Sequence, residues 1–179
     1  MTALATRPSE ALASLNKIEQ TLTKAPTYLP ALAAKAAALE VNAEDNRSRV
    51  SYEELLKLYP DFTPAKKRLA FLLFNNTEDL AKAYAFATKA HEELPDDVDL
   101  SKILGIILYR QGDYTRASDI LKECATKRSE DTELMYYFGM ARYRLKDKLA
   151  SKEALQRALA LKLNDDLALE AHKALTELK

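Results

Sequence analysis

The sequence predicts an all-α protein, a solenoid of stacked antiparallel helical hairpins. Three observations carry that expectation. Gly occurs only 3 times in 179 residues while Ala, Leu, Lys and Glu abound, which favours helix and starves a β sandwich or barrel of turn formers. Apolar residues, at 47%, are enough for a continuous core, and charged residues, at 30%, solvate the exterior. Finally, the sequence meets itself again when shifted by 34 residues. Ala83, Ala117 and Ser151 then coincide, all small, as do Ala90, Cys124 and Ala158. Gly105 coincides with Gly139, preceded by Leu104 and Phe138, and Tyr109 coincides with Tyr143. Asp79, Asp113 and Asp147 fall in matching turns; Asp97, Asp131 and Asp165 fall where the next helix begins.

Within each period, a first helix ends at a polar turn such as Gln111-Gly112-Asp113 or Lys146-Asp147-Lys148, and a second helix follows. Gly105 and Ala117 sit where the two helices cross, because a larger side chain would hold the backbones apart. Leu104, Leu108, Ile120 and Leu121 fill the space on either side. One hairpin leaves an apolar face uncovered, and the next hairpin buries it.

These residues resemble a tetratricopeptide repeat: Leu104-Gly105, Gln111-Gly112-Asp113-Tyr114, then Ala117, Leu121 and Cys124; and again Phe138-Gly139 with Ala158 and Leu159. Residues 64–97 resemble it through Phe74, Ala83, Ala90 and Pro95, and a more divergent unit over 29–62 carries Ser48, Tyr52, Leu55 and Pro60. The resemblance covers nearly the whole chain as a single domain, 1–179. A capping helix over 9–24 precedes repeats at 29–62, 64–97, 98–131 and 132–165, and a second capping helix over 166–179 closes the stack. The N-terminal cap is amphipathic through Ala11, Leu15, Ile18 and Leu22; in the C-terminal one Leu169, Ala171, Leu175 and Leu178 are apolar and Glu170, Lys173 and Glu177 point outward. The chain departs from the pattern in having no Trp, in Ser129 and Leu163 where a closing proline is usual, and in Lys148 where the turn carries an aromatic residue. These departures bear on helix boundaries more than on the fold.

The resemblance implies a right-handed superhelix of about ten helices, its concave surface lined by the first helix of each hairpin. Helical spacing then names the lining. Opposite the crossing face stand Lys102, Ile106, Tyr109 and Arg110; one period later stand Tyr136, Met140, Tyr143 and Arg144; one period earlier stand Arg68, Leu72, Asn75 and Asn76. The groove so inferred is aromatic and aliphatic toward the C-terminal half, with cations at its edge. Tyr109, Tyr136, Met140 and Tyr143 suit the anchoring of a peptide or protein, and Arg68, Lys102, Arg110 and Arg144 suit acidic groups on it. Each has a plainer reading: tyrosines also fill space between adjacent first helices, as expected of Tyr137, and the cations also serve as solvated surface. A carboxylate clamp of the kind found in chaperone cofactors is not matched, since Lys102 and Arg68 are followed four residues later by Ile106 and Leu72, and Tyr137 occupies the next repeat's position.

Lys plus Arg and Asp plus Glu each total 27, so the basic excess that a nucleic-acid binder uses against phosphates is missing. The longest apolar run, Ile103 to Tyr109, is too short for membrane insertion. Arg7 stands in Met1 to Pro8 where an export signal would need an apolar core, which favours a cytoplasmic setting. His91 and His172 lie in different repeats, Cys124 takes a small position at a helix crossing, and no glycine-rich phosphate loop exists, so no catalytic, metal or cofactor site is expected. The expectation is a non-catalytic interaction module. The alternative is a self-assembling scaffold, a homo-oligomer built by hairpin stacking.

Overall fold

The computed structural model describes residues 8–178, with side chains from residue 14 onward. The readings of Met1 to Arg7, of the Ala11 side chain and of Lys179 lie outside the described residues. Ten α-helices follow one another: α1 Pro8–Lys24, α2 Leu29–Val41, α3 Asp45–Leu58, α4 Thr63–Leu73, α5 Leu80–Glu93, α6 Val98–Arg110, α7 Tyr114–Lys127, α8 Thr132–Arg144, α9 Lys148–Ala160 and α10 Asp165–Glu177. A short 3-10 turn, Thr77–Asp79, precedes α5. The described residues contain no strand, and none of their helices is long and apolar enough to cross a membrane. The chain is therefore all-α, a helical repeat.

Two compact units divide the chain, one ending at Leu73 and the other beginning at Phe74. The boundary falls inside the repeat expected over 64–97, so α4 and α5 belong to different units.

In the first unit each helix packs on the next. Helix α2 is rich in alanine and begins at a proline that fits the first helical turn. Its small residues Ala31 and Ala36 let α3 come close, and the buried Ser48 hydroxyl donates to the Ala36 carbonyl at 2.9 Å. Leu39, Tyr52, Leu55 and Leu69 complete this core.

The second unit shows the repeat most clearly. Sequential helices pack in pairs, and in addition α6 packs on α8 and α8 on α10. The α7–α9 spacing is wider, wide enough to leave an apolar trough of about 400 Å³ floored by Met135 and Phe138. The first helices thus form the tighter, inner side of this unit. Aspartates start the helices by accepting a backbone N–H three residues on: Asp97 from Leu100, Asp113 from Arg116, Asp131 from Leu134 and Asp147 from Ala150, all at 3.0–3.2 Å. For α10 this role belongs to Asn164, which accepts from Leu167, one residue before the expected Asp165.

At the hairpin crossings, a Cβ on Gly105 would lie 2.6 Å from Leu121 Cγ, and one on Gly139 would lie 2.8 Å from Leu155 Cγ. The glycine thus meets a leucine one turn beyond the small residue at 117 or 151, and both Ala117 and Ser151 are fully buried beside it.

Candidate functional site

The expected lining residues divide between the units. Arg68 and Leu72 lie on α4 in the first unit; the other ten lie in the second. Asn75 is exposed in the turn after α4, because that helix stops at Leu73, two residues short of the expected stripe. Arg68 is already paired within its unit: its Nε donates to Glu40 Oε2 at 3.0 Å and its terminal nitrogen bridges Glu40 Oε1.

Helices α6, α8 and α10 build the inner wall of the second unit. Three expected contact residues are corrected by their surroundings there. Ile106 is fully buried and Tyr136 is 2% exposed, so both support the wall from within and offer a partner no surface. Packing against other elements buries them, Tyr136 reaching Glu170 on α10, which a periodicity along one helix does not reveal. Lys102 is spent on the protein: its ammonium meets Asp131 at 3.0 Å and Glu133 at 2.9 Å, tying α6 to the start of α8. Burial pulls its pKa down, but hydrogen bonds to those two carboxylates outweigh the burial and hold it above the ordinary lysine value.

The remaining residues form two linked features. The first is a tyrosine cluster. Tyr109 stands 5.5 Å from Tyr114 and 5.4 Å from Tyr137, and Tyr137 stands 5.0 Å edge-on from Tyr136, at separations where offset and edge-to-face rings attract. Arg110 lies 5.5 Å from the Phe74 ring and 5.8 Å from the Tyr137 ring, and Arg144 lies 5.7 Å from the Tyr114 ring. Burial raises the Tyr109 pKa above its ordinary value.

The second feature is a cleft of about 410 Å³ between α8 and α10. Met140, Tyr143 and Arg144 line it from α8; Glu170, Lys173, Ala174 and Glu177 line it from α10. Two hydrogen bonds cross between these helices: Tyr136 Oη donates to Glu170 at 2.5 Å, and Tyr143 Oη donates to Glu177. Burial, and then the Glu170 carboxylate, push the Tyr136 pKa far above its ordinary value, so the hydroxyl stays a donor. The expected surface cap is therefore a wall of the cleft, and Glu170, Lys173 and Glu177 face it. The sequence held the signal: Glu170 and Glu177 stand 34 residues after Tyr136 and Tyr143, so the repeat continues into α10.

Other reactive side chains lie elsewhere. Cys124 is 3% exposed, its Sγ 3.9 Å from the Val98 carbonyl, and burial pushes its thiol pKa up and away from the reactive thiolate. His91 Nε2 is 3.1 Å from Ser101 Oγ, and His172 is exposed on α10.

No protein-family model matches the sequence, and no curated protein does. Solved structures do match. YrrB, described as a TPR protein with an unusual peptide-binding site, superposes with a TM-score of 0.78 at 17% identity, over 92% of this chain and 84% of its own. MamA from Desulfovibrio magneticus RS-1 gives 0.72 at 15% identity, over 88% of both chains. PilW, a type IV pilus biogenesis factor, gives 0.66 at 16% identity, over 95% of this chain and 83% of its own. At such identities the likeness is one of fold, and the fold is the tetratricopeptide-repeat type.

Proposed function

We propose that this tetratricopeptide-fold chain is a non-catalytic interaction module that takes a peptide segment of a partner protein on the inner wall of its second unit. The observation that carries the reading is the cleft between α8 and α10. Its floor is apolar through Met140 and Ala174, its rim offers Tyr143, Arg144, Lys173 and Glu177, and its size of about 410 Å³ accepts a few side chains. Tyrosine combines large contact area with few rotatable bonds, so ordering it costs little. YrrB is named for a peptide-binding site, and here that name serves as analogy of fold. Tyr143→Ala combined with Lys173→Ala is expected to abolish capture of the partner from source lysate while leaving the unfolding midpoint nearly unchanged. Unaltered capture by the folded double variant would move the binding surface off this cleft.

A second reading, self-assembly, is favoured by the outer trough between α7 and α9, whose surface is mainly apolar through Met135, Phe138, Ala150 and Ala154. Light scattering across a concentration range tests it, and a monomer at high concentration removes it.

A further inference from the structure

The arginines of the second unit fall into two classes. Arg116, Arg128, Arg142 and Arg157 each face a carboxylate of the chain within ion-pairing distance. Arg110 and Arg144 face none among the described residues. Arg110 donates to the Phe74 carbonyl at 2.7 Å and the Tyr137 hydroxyl at 3.0 Å. Arg144 faces the Tyr109 hydroxyl, which favours its charged form. All of these oxygens are neutral. The carboxylates that share the cleft with Arg144, on Glu170 and Glu177, accept tyrosine hydroxyls instead.

Each of the two guanidiniums is exposed, has no carboxylate within ion-pairing distance among the described residues, and lies over aromatic rings. They bracket one cluster: Arg110 lies over Tyr137, Tyr137 touches Tyr109, Tyr109 touches Tyr114, and Arg144 lies over Tyr114. Stacking fixes the planar fork before a partner arrives, so less side-chain entropy is lost when it binds. We infer that Arg110 and Arg144 form an anion-reading pair, and that the partner is an acidic linear segment whose two carboxylate side chains flank an apolar residue resting on Tyr109 and Tyr114. The inference rests on the interaction reading above and adds its chemistry. Carboxylates suit the fork geometry. A nucleic acid is disfavoured, because tight phosphate binding draws on many cations and this chain balances 27 positive with 27 negative residues.

The test pans random linear peptides displayed on phage against the full chain, with R110Q/R144Q and R144Q panned in parallel and their melting recorded. Enrichment of peptides with paired acidic residues is expected. The double variant should lose that enrichment, and its affinity for the best selected peptide should fall on the order of tenfold or more through loss of two charge-assisted contacts. R144Q, a change at an exposed head group, should fall part-way without altered melting, and R110K/R144K should lie between parent and double variant. Raising salt should weaken the parent complex. Enriched peptides lacking acidic residues, equal acidic enrichment on R110Q/R144Q, or preference for single-stranded DNA over the selected peptide would each overturn the inference and leave the interaction reading in place. If no peptide is enriched, the interaction reading fails and the inference fails with it.

Discussion

The hairpins α6–α7 and α8–α9 are the same structure built twice, and they differ along the first helix of each. Their crossings repeat: Gly105 against Leu121 and Gly139 against Leu155, with Ala117 and Ser151 fully buried alongside. Their turns repeat, through left-handed residues at 112 and 146 followed by capping aspartates at 113 and 147. Their inner faces do not repeat. Lys102 gives way to Tyr136, Ile106 to Met140, and only the Tyr-Arg pair at 109–110 and 143–144 recurs. Packing holds the crossing residues constant because a single methylene there displaces a helix. The inner positions differ instead in what packs against them: Ile106 and Tyr136 are buried and Lys102 is ion-paired, while Arg110 and Arg144 stay exposed.

The largest expected effect separates two tyrosines that the sequence treats alike. Tyr136 is 2% exposed and Tyr143 is only half-buried. Tyr136→Ala removes a buried ring and orphans its contact with Glu170, a loss of about 3–5 kcal/mol expected for truncating a large buried aromatic. Tyr143→Ala should leave stability close to the parent. Urea unfolding measures both; equal destabilisation by the two variants would mean that α8 presents no free inner surface.

A smaller effect separates the two crossings. At Gly105 an added Cβ meets only the Leu121 side chain, whereas at Gly139 it also meets the Leu155 backbone nitrogen at 3.0 Å. Side chains rotate away and backbones do not. Gly139→Ala is expected to destabilise by about 1–3 kcal/mol. At Gly105→Ala the strain is partly offset by the roughly 1 kcal/mol that alanine contributes over glycine inside a helix. Thermal unfolding should rank Gly139→Ala clearly below Gly105→Ala, and the reverse order would show that α9 yields more easily than α7. Gly105→Leu, with no room to rotate into, should open its hairpin outright.

These contrasts also mark what was legible in the sequence. Periodicity along the chain located α6–α7 and α8–α9, their crossing glycines, and Asp97 and Asp131 at the starts of α6 and α8, because each answers to contacts within one repeat. It does not reach Ile106, Tyr136 and Lys102, whose surroundings lie beyond their own helix: the first two are buried, Tyr136 against Glu170 of α10, and Asp131 with Glu133 neutralises the third. It placed Asn75 on a helix that ends at Leu73, since nothing in the composition of α4 announces that stop. The polar residues of α10 give it the look of a surface cap, yet 34 residues separate Glu170 from Tyr136 and Glu177 from Tyr143, so the same repeat carries both onto the wall.

The smallest effect lies in the turns, where backbone cost can be isolated. Gly112 has φ +84° and Lys146 has φ +62°, a region costly for any residue with a Cβ and open to glycine. Nothing stands within 4 Å of where a Cβ on Gly112 would lie, so Gly112→Lys measures conformational strain with no steric contact added. It should destabilise by about 0.5–1 kcal/mol, and Lys146→Gly should stabilise by a similar amount, because the two turns have the same shape and exchange the same residues. Equal and opposite shifts in urea midpoint would establish that the hairpins are interchangeable away from their inner face. If Lys146→Gly destabilised instead, the lysine side chain would be contributing to the α8–α9 turn beyond its backbone, and the equivalence of the two hairpins would stop at their crossings.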